Sequence, residues 1–195
     1  MSLRHGILGL LAVKPMAGYD LMKIFNKSIR FFWSAQTSQI YRELDAMDAE
    51  GLIHEEEERQ RGRLVKTIYA ISAKGSEALA CWLGDSGVEP SSARNPFLLR
   101  LFFQAAGGTD SVRTLVVAKK NQAEANMAEL REILAGVIPE YSGAAQSQLE
   151  ILCWSQTVEF GLAQYEAEVR WAEAFLSKLD ARKGKNYEED TASER

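Results

Sequence analysis

WSAQTSQIYRELDAMDAEGLIHEEEERQRGRLVKTIYAI, residues 33–71, is the stretch that decides the fold. Ile40, Leu44 and Met47 recur at i, i+4 and i+7, so one stripe of a short helix faces a core. The opposite face presents Ser38, Gln39 and Arg42 outward. Thr37 is placed to act as N-cap, its hydroxyl accepting a backbone N–H of the first turn, and Gly51 is a natural terminator. Two extended runs follow, joined by the turn Gln60-Arg61-Gly62-Arg63, so that with Arg59 the hairpin carries three arginines. Val65, Thr67, Tyr69 and Ile71 alternate with Lys66, Ile68 and Ala70, as a strand requires. Glu55 to Glu58 has poor strand propensity and reads as a half-solvated partner strand. A helix followed by an arginine-tipped hairpin is the outline of a winged helix-turn-helix, whose reading helix enters the DNA major groove by its N-terminal end. Short polar side chains at that end suit contact with base edges and phosphates.

Upstream, Leu3, Ile7, Leu10 and Leu11 lie at helical spacing, and Pro15 stops that helix. Gly18 opens a second pattern, Leu21, Ile24, Phe25 and Ile29, with Tyr19 and Lys23 left near its exposed start. FFWSAQ between this helix and the next is aromatic enough for a buried corner. Downstream of the hairpin, Ser72 is placed to cap a fourth helix whose apolar side is Leu79, Trp82 and Leu83. Residues 84–94, GDSGVEPSSAR, read as a linker. Asn95-Pro96 restarts helix as cap and first position, and Phe97 to Phe103, apolar on nearly every side apart from Arg100, is expected to be buried. A long helix follows from about Thr109 to Val137, with Val112, Leu115, Leu130, Ile133, Leu134 and Val137 as its core set, and Pro139 marks its end. In the last helix Val158, Leu162, Tyr165, Val169, Ala172, Leu176 and Leu179 alternate four and three apart, a heptad seam that implies a long helical partner. Trp154, Trp171 and Phe175 lie off that seam. The tail after Leu179 is polar and expected to fray.

The expected fold class is therefore mainly α, with an N-terminal winged helix-turn-helix carrying a two-stranded wing, residues 1–84, followed by an α-helical dimerisation domain, residues 95–180, which is also the candidate place for an effector. A chain of 195 residues accommodates one small domain with such an extension. A content of 46% hydrophobic and 26% charged residues excludes disorder, and no apolar run approaches the roughly 20 residues that span a bilayer. The apolar run from Gly6 to Val13 is short for a signal peptide, so the expected location is cytoplasmic. The net charge of −4 looks unfavourable for a DNA partner. It divides unequally, however: residues 1–80 hold 11 Lys+Arg against 10 Asp+Glu, and the rest 12 against 17. DNA affinity depends on where positive charge lies more than on its total. Cys81 and Cys153 sit in apolar helical patterns and read as buried small hydrophobes. With only His5 and His54 beside them, no metal and no cofactor is expected. His5, among apolar residues, reads as a packed or hydrogen-bonded histidine.

Leu3-Arg4-His5-Gly6-Ile7-Leu8-Gly9-Leu10-Leu11, Gly18-Tyr19-Asp20-Leu21, Ser38-Gln39-Ile40-Tyr41-Arg42-Glu43-Leu44, Glu50-Gly51-Leu52-Ile53 and Tyr69-Ala70-Ile71-Ser72-Ala73-Lys74-Gly75, in this order over about the first 85 residues, resemble the PadR family of bacterial transcriptional regulators. The remaining half is similar in length, helix order and apolar pattern to the helical C-terminal domain of the larger PadR subgroup, shared with virulence activators. The resemblance implies a homodimer whose C-terminal helices cross between subunits, presenting two winged helices to a pseudo-palindromic operator of double-stranded DNA. It implies a repressor released by a small aromatic or hydrophobic effector, and DNA contact at Gly18, Tyr19, Ser38, Gln39, Tyr41, Arg42, Arg61 and Arg63.

Other readings stand beside these. Tyr41 is either a phosphate contact through its hydroxyl or a half-buried core residue; Ser38 and Gln39 read alternatively as solvated positions, and Arg61 and Arg63 as a solvated turn. Trp154, Tyr165 and Trp171 are candidates to line an effector pocket, or pack a core or dimer seam. A dimeric activator or adapter acting through protein contacts, without a small ligand, is compatible with the acidic second half. An enzyme finds no support, for the sequence has no glycine-rich phosphate loop, no Cys/His pair at useful spacing and no carboxylate pair in an apolar setting.

Overall fold

The computed structural model describes residues 3–58, 66–85, 95–143, 145 and 147–193. Arg61 and Arg63, and residues 86–94 of the expected linker, lie outside the described residues. The chain divides into two compact units, Met1–Glu89 with Ile133–Ser155, and Pro90–Glu132 with Gln156–Arg195.

The first unit opens with helix α1, Leu3–Val13. Strand β1, Met16–Ala17, leads directly into α2, Gly18–Ser28. The third helix, α3, spans Thr37–Ala49. Strands β2, Ile53–Glu58, and β3, Lys66–Ile71, form the hairpin, and α4 spans Ala73–Gly84. The apolar periodicities place their residues as expected: Ile7, Leu8 and Leu11 of α1, Leu21 and Phe25 of α2, and Ile40, Leu44 and Met47 of α3 make one buried cluster. Each such side chain contributes about 1.5–3 kcal/mol on leaving water. Gly51 terminates α3 with φ +72°, a backbone state in which a Cβ is strained. Ser72 caps α4, its Oγ accepting from the Gly75 N–H at 3.0 Å.

The sheet is larger than the hairpin. Its order is β1-β3-β2, all antiparallel, with Met16 opposite Tyr69 and Glu55 opposite Tyr69 on the other edge. A two-residue strand carries no periodicity, so β1 leaves no mark on the residue pattern. All four glutamates of the run are in β2 despite their propensity, because β3 supplies the ladder. This is tertiary pairing overriding a weak local preference.

Other expectations are corrected. Gln36, not Thr37, is the N-cap of α3. Leu83 and Trp82 of α4 are both exposed, although Trp82 stacks on His5 of α1 with ring centroids 4.6 Å apart and 7° between planes. Cys81 and Cys153 are exposed rather than buried. Pro139 does not end the helical run. A π turn over Ile133–Val137 precedes α7, Ile138–Ser142; its widened winding accommodates a proline that has no N–H and whose ring crowds the carbonyl of Ala135.

In the second unit α5, Pro96–Phe103, is capped by Asn95, whose Oδ1 accepts from the Leu98 N–H at 3.1 Å, with Pro96 at its start. A 3₁₀ turn, Gln104–Gly107, leads into α6, Gly108–Glu132. The last helix, α8, runs Gln148–Ser193 and so continues past Leu179. Its long partner is α6. Lys119 pairs with Glu168 at 2.6 Å and Lys120 with Glu173 at 2.8 Å, and Arg113 pairs with Asp180, so the two helices run antiparallel. The core residues of α6 are Val116, Ala123, Met127 and Leu130, with Val112 and Leu115 only half-buried. Contrary to expectation α5 has no buried residue. Leu98, Leu99, Phe102 and Phe103 are all exposed, Phe102 to 81%.

Candidate nucleic-acid interface

The reading end is built on α3, whose inward stripe of Ile40, Leu44 and Met47 fixes which side chains turn outward. Ser38, Gln39, Tyr41 and Arg42 are all exposed. Ser38, Arg42 and Asp45 lie at i, i+4 and i+7, so one stripe begins polar and basic at the helix start and becomes acidic two turns later. Only its N-terminal part suits DNA. No acidic residue occupies the first turn, which leaves the positive end of the helix dipole open to a phosphate.

That end is pre-organised by its own side chains. Gln36 and Gln39 form a reciprocal capping box, the Gln39 Oε1 accepting from the Gln36 N–H at 2.8 Å while the Gln36 side chain accepts from the Gln39 N–H. A backbone N–H demands the carboxamide oxygen, so the Gln39 amino group is the part left to donate elsewhere. Arg42 donates from Nε to the Ser38 carbonyl oxygen at 3.2 Å.

Gly18 and Tyr19 separate in role. Gly18 is buried, and a Cβ there would meet Tyr41 Cε1 at 2.9 Å and Tyr69 Cε2 at 3.4 Å. Its place is to let the Tyr41 ring lie against the start of α2. Tyr41 packs part of its ring there and remains 38% exposed. Tyr19 is 64% exposed and begins a stripe of exposed side chains with Lys23 and Lys27 along α2.

Beneath Tyr41, burial pushes the Tyr69 hydroxyl above its ordinary range, and the Glu55 carboxylate opposite it on β2 pushes the same way. Glu56 lies 3.0 Å from the His54 ring. Part of the glutamate run is thus engaged locally.

No sequence pattern announces the grip on the far end of α3. Arg4 of α1 donates from Nε to Glu43 at 2.7 Å and from both Nη atoms to the two oxygens of Glu50, at 2.7 and 2.8 Å. Lys74 of α4 donates to the Glu50 carbonyl oxygen at 2.7 Å, and Ser72 Oγ to that of Gly51 at 2.7 Å. These partners are 21 to 46 positions apart, beyond the reach of any local pattern.

Of the residues considered for an effector, Trp154 belongs to the first unit, and Tyr165 and Trp171 to the second. Trp171 packs edge-on against Phe97 with centroids 5.6 Å apart, and tilted against Phe175 at 5.6 Å. Lys119 lies over the Phe97 ring at 5.7 Å. Among the described residues no group of His, Cys, Asp or Glu side chains is placed to hold a metal ion, and no helix is long and apolar enough to cross a membrane.

Three helices, a β-hairpin and an outward polar helix start define the class: a winged helix-turn-helix DNA-binding regulator. Residues 7–81 match the transcriptional regulator PadR-like family, and residues 93–180 match the virulence activator alpha C-terminal family. The negative transcriptional regulator PadR of Bacillus subtilis is 30% identical over 182 residues, 91% of this chain and 97% of that protein. Its crystal structure in complex with operator DNA is similar with a TM-score of 0.75 at 25% identity, covering 91% of this chain and 98% of that one. Its complex with p-coumaric acid gives 0.72, at the same identity and coverage. The virulence activator AphA of Vibrio cholerae gives 0.70 at 26% identity, covering 93% and 99%. The chain belongs to the PadR family of transcriptional regulators, with a virulence-activator-like C-terminal part, and that family is one of regulators rather than enzymes.

Proposed function

We propose that this regulator is a cytoplasmic homodimeric repressor that binds a pseudo-palindromic operator and is released by a small aromatic or hydrophobic compound. The observation that carries the DNA part is the start of α3: Ser38, Gln39 and Arg42 stand outward above a buried Ile40-Leu44-Met47 stripe, with an open helix dipole and no acid in the first turn. On this reading Ser38, Gln39 and Arg42 approach base edges. Tyr19, Tyr41, Lys23 and Lys27 approach phosphates, as the first helix of such a motif crosses the backbone. Arg61 and Arg63 extend the grip from the wing, and Gly18 acts by seating Tyr41.

The division of labour is residues 1–84 for DNA and residues 95–180 for dimerisation and effector response. The exposed Leu98, Leu99, Phe102 and Phe103 of α5 form an apolar face of the kind that marks a protein interface, and a second copy of the chain is the partner that a two-fold operator requires. The aromatic group of Trp171, Phe97 and Phe175 supports an aromatic effector, in keeping with the p-coumaric acid complex of the Bacillus relative. Trp154 and Tyr165 are the other candidate contacts. Release is then a population shift toward a dimer whose reading helices no longer match the spacing of one DNA turn, about 34 Å. The similarity to a virulence activator favours a second reading, a dimeric activator or adapter working through protein contacts without a small ligand.

A band-shift titration against DNA from the chain's own promoter region tests the proposal. Binding tighter than to random duplex, weakening steeply with salt and with added p-coumaric acid, is the expected result. Equal binding to both duplexes contradicts the repressor, and operator binding indifferent to phenolic acids favours the activator or adapter.

A further inference from the structure

We propose that Arg4 of α1 is the positioning residue of the reading helix: its guanidinium sets where α3 sits along and about its own axis, and thereby operator discrimination. The inference rests on the DNA reading above and adds a residue to it. Arg4 spans two carboxylates seven positions apart on α3, with Nε on Glu43 at 2.7 Å and a two-pronged contact to Glu50 at 2.7 and 2.8 Å. Seven positions is nearly two turns of helix. A planar guanidinium held at both places resists rotation of the helix as well as sliding, which a single ammonium does not. Lys74 holds the Glu50 carbonyl oxygen at 2.7 Å from the other flank, so the end of α3 away from the DNA is gripped from α1 and from α4. The carboxylates in turn keep Arg4 firmly protonated.

The grip bears on recognition because the two kinds of DNA contact tolerate error differently. A phosphate contact survives a small shift of the helix, since long basic side chains follow the backbone. A hydrogen bond from Ser38, Gln39 or Arg42 to a base edge needs placement within roughly half an ångström. Loosening α3 at Glu43 and Glu50 therefore removes discrimination before it removes general affinity.

The test uses the full chain with Arg4→Gln and Arg4→Lys. Fluorescence anisotropy gives dissociation constants for a duplex that the wild-type chain selects from a randomised pool and for a random duplex of equal length, at several salt concentrations. The temperature is kept below each variant's measured melting point. Arg4→Gln is expected to weaken the selected duplex by about tenfold, the value of one good base contact, with the random duplex within about twofold and the salt slope unchanged. Arg4→Lys, which keeps the charge and loses the fork, is expected to fall between. Equal weakening on both duplexes, with a slope shallower by about 0.9, makes Arg4 a phosphate contact and overturns the proposal. Unchanged affinities with only a lowered melting point reduce it to a stability contact, and full rescue by lysine overturns the two-carboxylate grip. A wild-type chain that selects no sequence overturns the DNA reading itself, an outcome distinct from all of these.

Discussion

Arg4 and Glu50 meet fork to fork, Nη1 2.7 Å from Oε2 and Nη2 2.8 Å from Oε1, and so join the first helix of the chain to the end of its third. Arg4 is about 30% exposed and Glu50 about 47%. Such a pair adds little to stability, about 0–1 kcal/mol. The apolar stripe on the inner side of the same helix carries far more. Chemical denaturation is expected to separate the two: Arg4→Gln costs under about 1 kcal/mol, whereas Leu44→Ala, at a fully buried position, costs about 2–5 kcal/mol. Equal costs would place the stability of the winged helix in its ion pairs.

Gly18→Ala is expected to leave the melting point close to wild type, because the atom it meets is the far edge of the Tyr41 ring, 2.9 Å from the new methyl, and a ring can turn away. Operator affinity is expected to fall by about fivefold, the equivalent of about 1 kcal/mol for a displaced hydroxyl contact. Anisotropy titration checks this. An unchanged affinity would mean that Tyr41 is a packing residue alone.

Stability should also report on His5. Burial lowers its pKa below the usual 6.5, and the N-terminus and Arg4 lower it further, so the folded chain favours the neutral ring that stacks on Trp82. A depressed folded value means the unfolded chain binds the proton first. The stabilisation is therefore complete above pH 6.5 and is lost as the pH falls from there through the lower folded value, with a slope of at most about 1.4 kcal/mol per pH unit for one proton. Urea denaturation at pH 8 down to pH 5 is expected to show this loss in wild type and a flatter profile in His5→Phe, which keeps a ring against Trp82. Parallel profiles would contradict it.

Phe102 and Phe103 are 81% and 67% exposed in the single chain. If a second copy covers them, a charge there is ruinous to association and harmless to the fold. Phe102→Glu is expected to convert a dimer into a folded monomer in sedimentation velocity, with helical content retained and operator affinity lowered by at least about tenfold through lost bivalency. A dimer that persists would move the interface elsewhere.

The sequence made the reading unit legible where one chemistry governs one element. The period of Ile40, Leu44 and Met47 fixed the buried side of α3, and Gly51 its end. Ser72 and Asn95 capped the helices they precede, and three ion pairs join α8 to the long helix α6. What stayed hidden depends on residues far apart. Gln36 capped α3 because Gln39 reciprocates, not because glutamine is a preferred cap. The strand at Met16–Ala17 exists through its pairing with Ile68 and Tyr69. Gly18 serves Tyr41, and Arg4 serves Glu43 and Glu50. The run Phe97 to Phe103 reads as buried and is mostly exposed in the chain, for an apolar helix looks the same in a sequence whether or not its own chain covers it.

In the proposed function two copies of this chain place two α3 helices in one face of a DNA duplex. Hydroxyl-radical footprinting of the purified protein on its own promoter region tests it most directly. The expected result is two protected half-sites of related, inverted sequence, with centres one helical turn apart, about 10–10.5 base pairs, both lost together in the Phe102→Glu variant. A single protected site, or protection without sequence preference along the fragment, would contradict it.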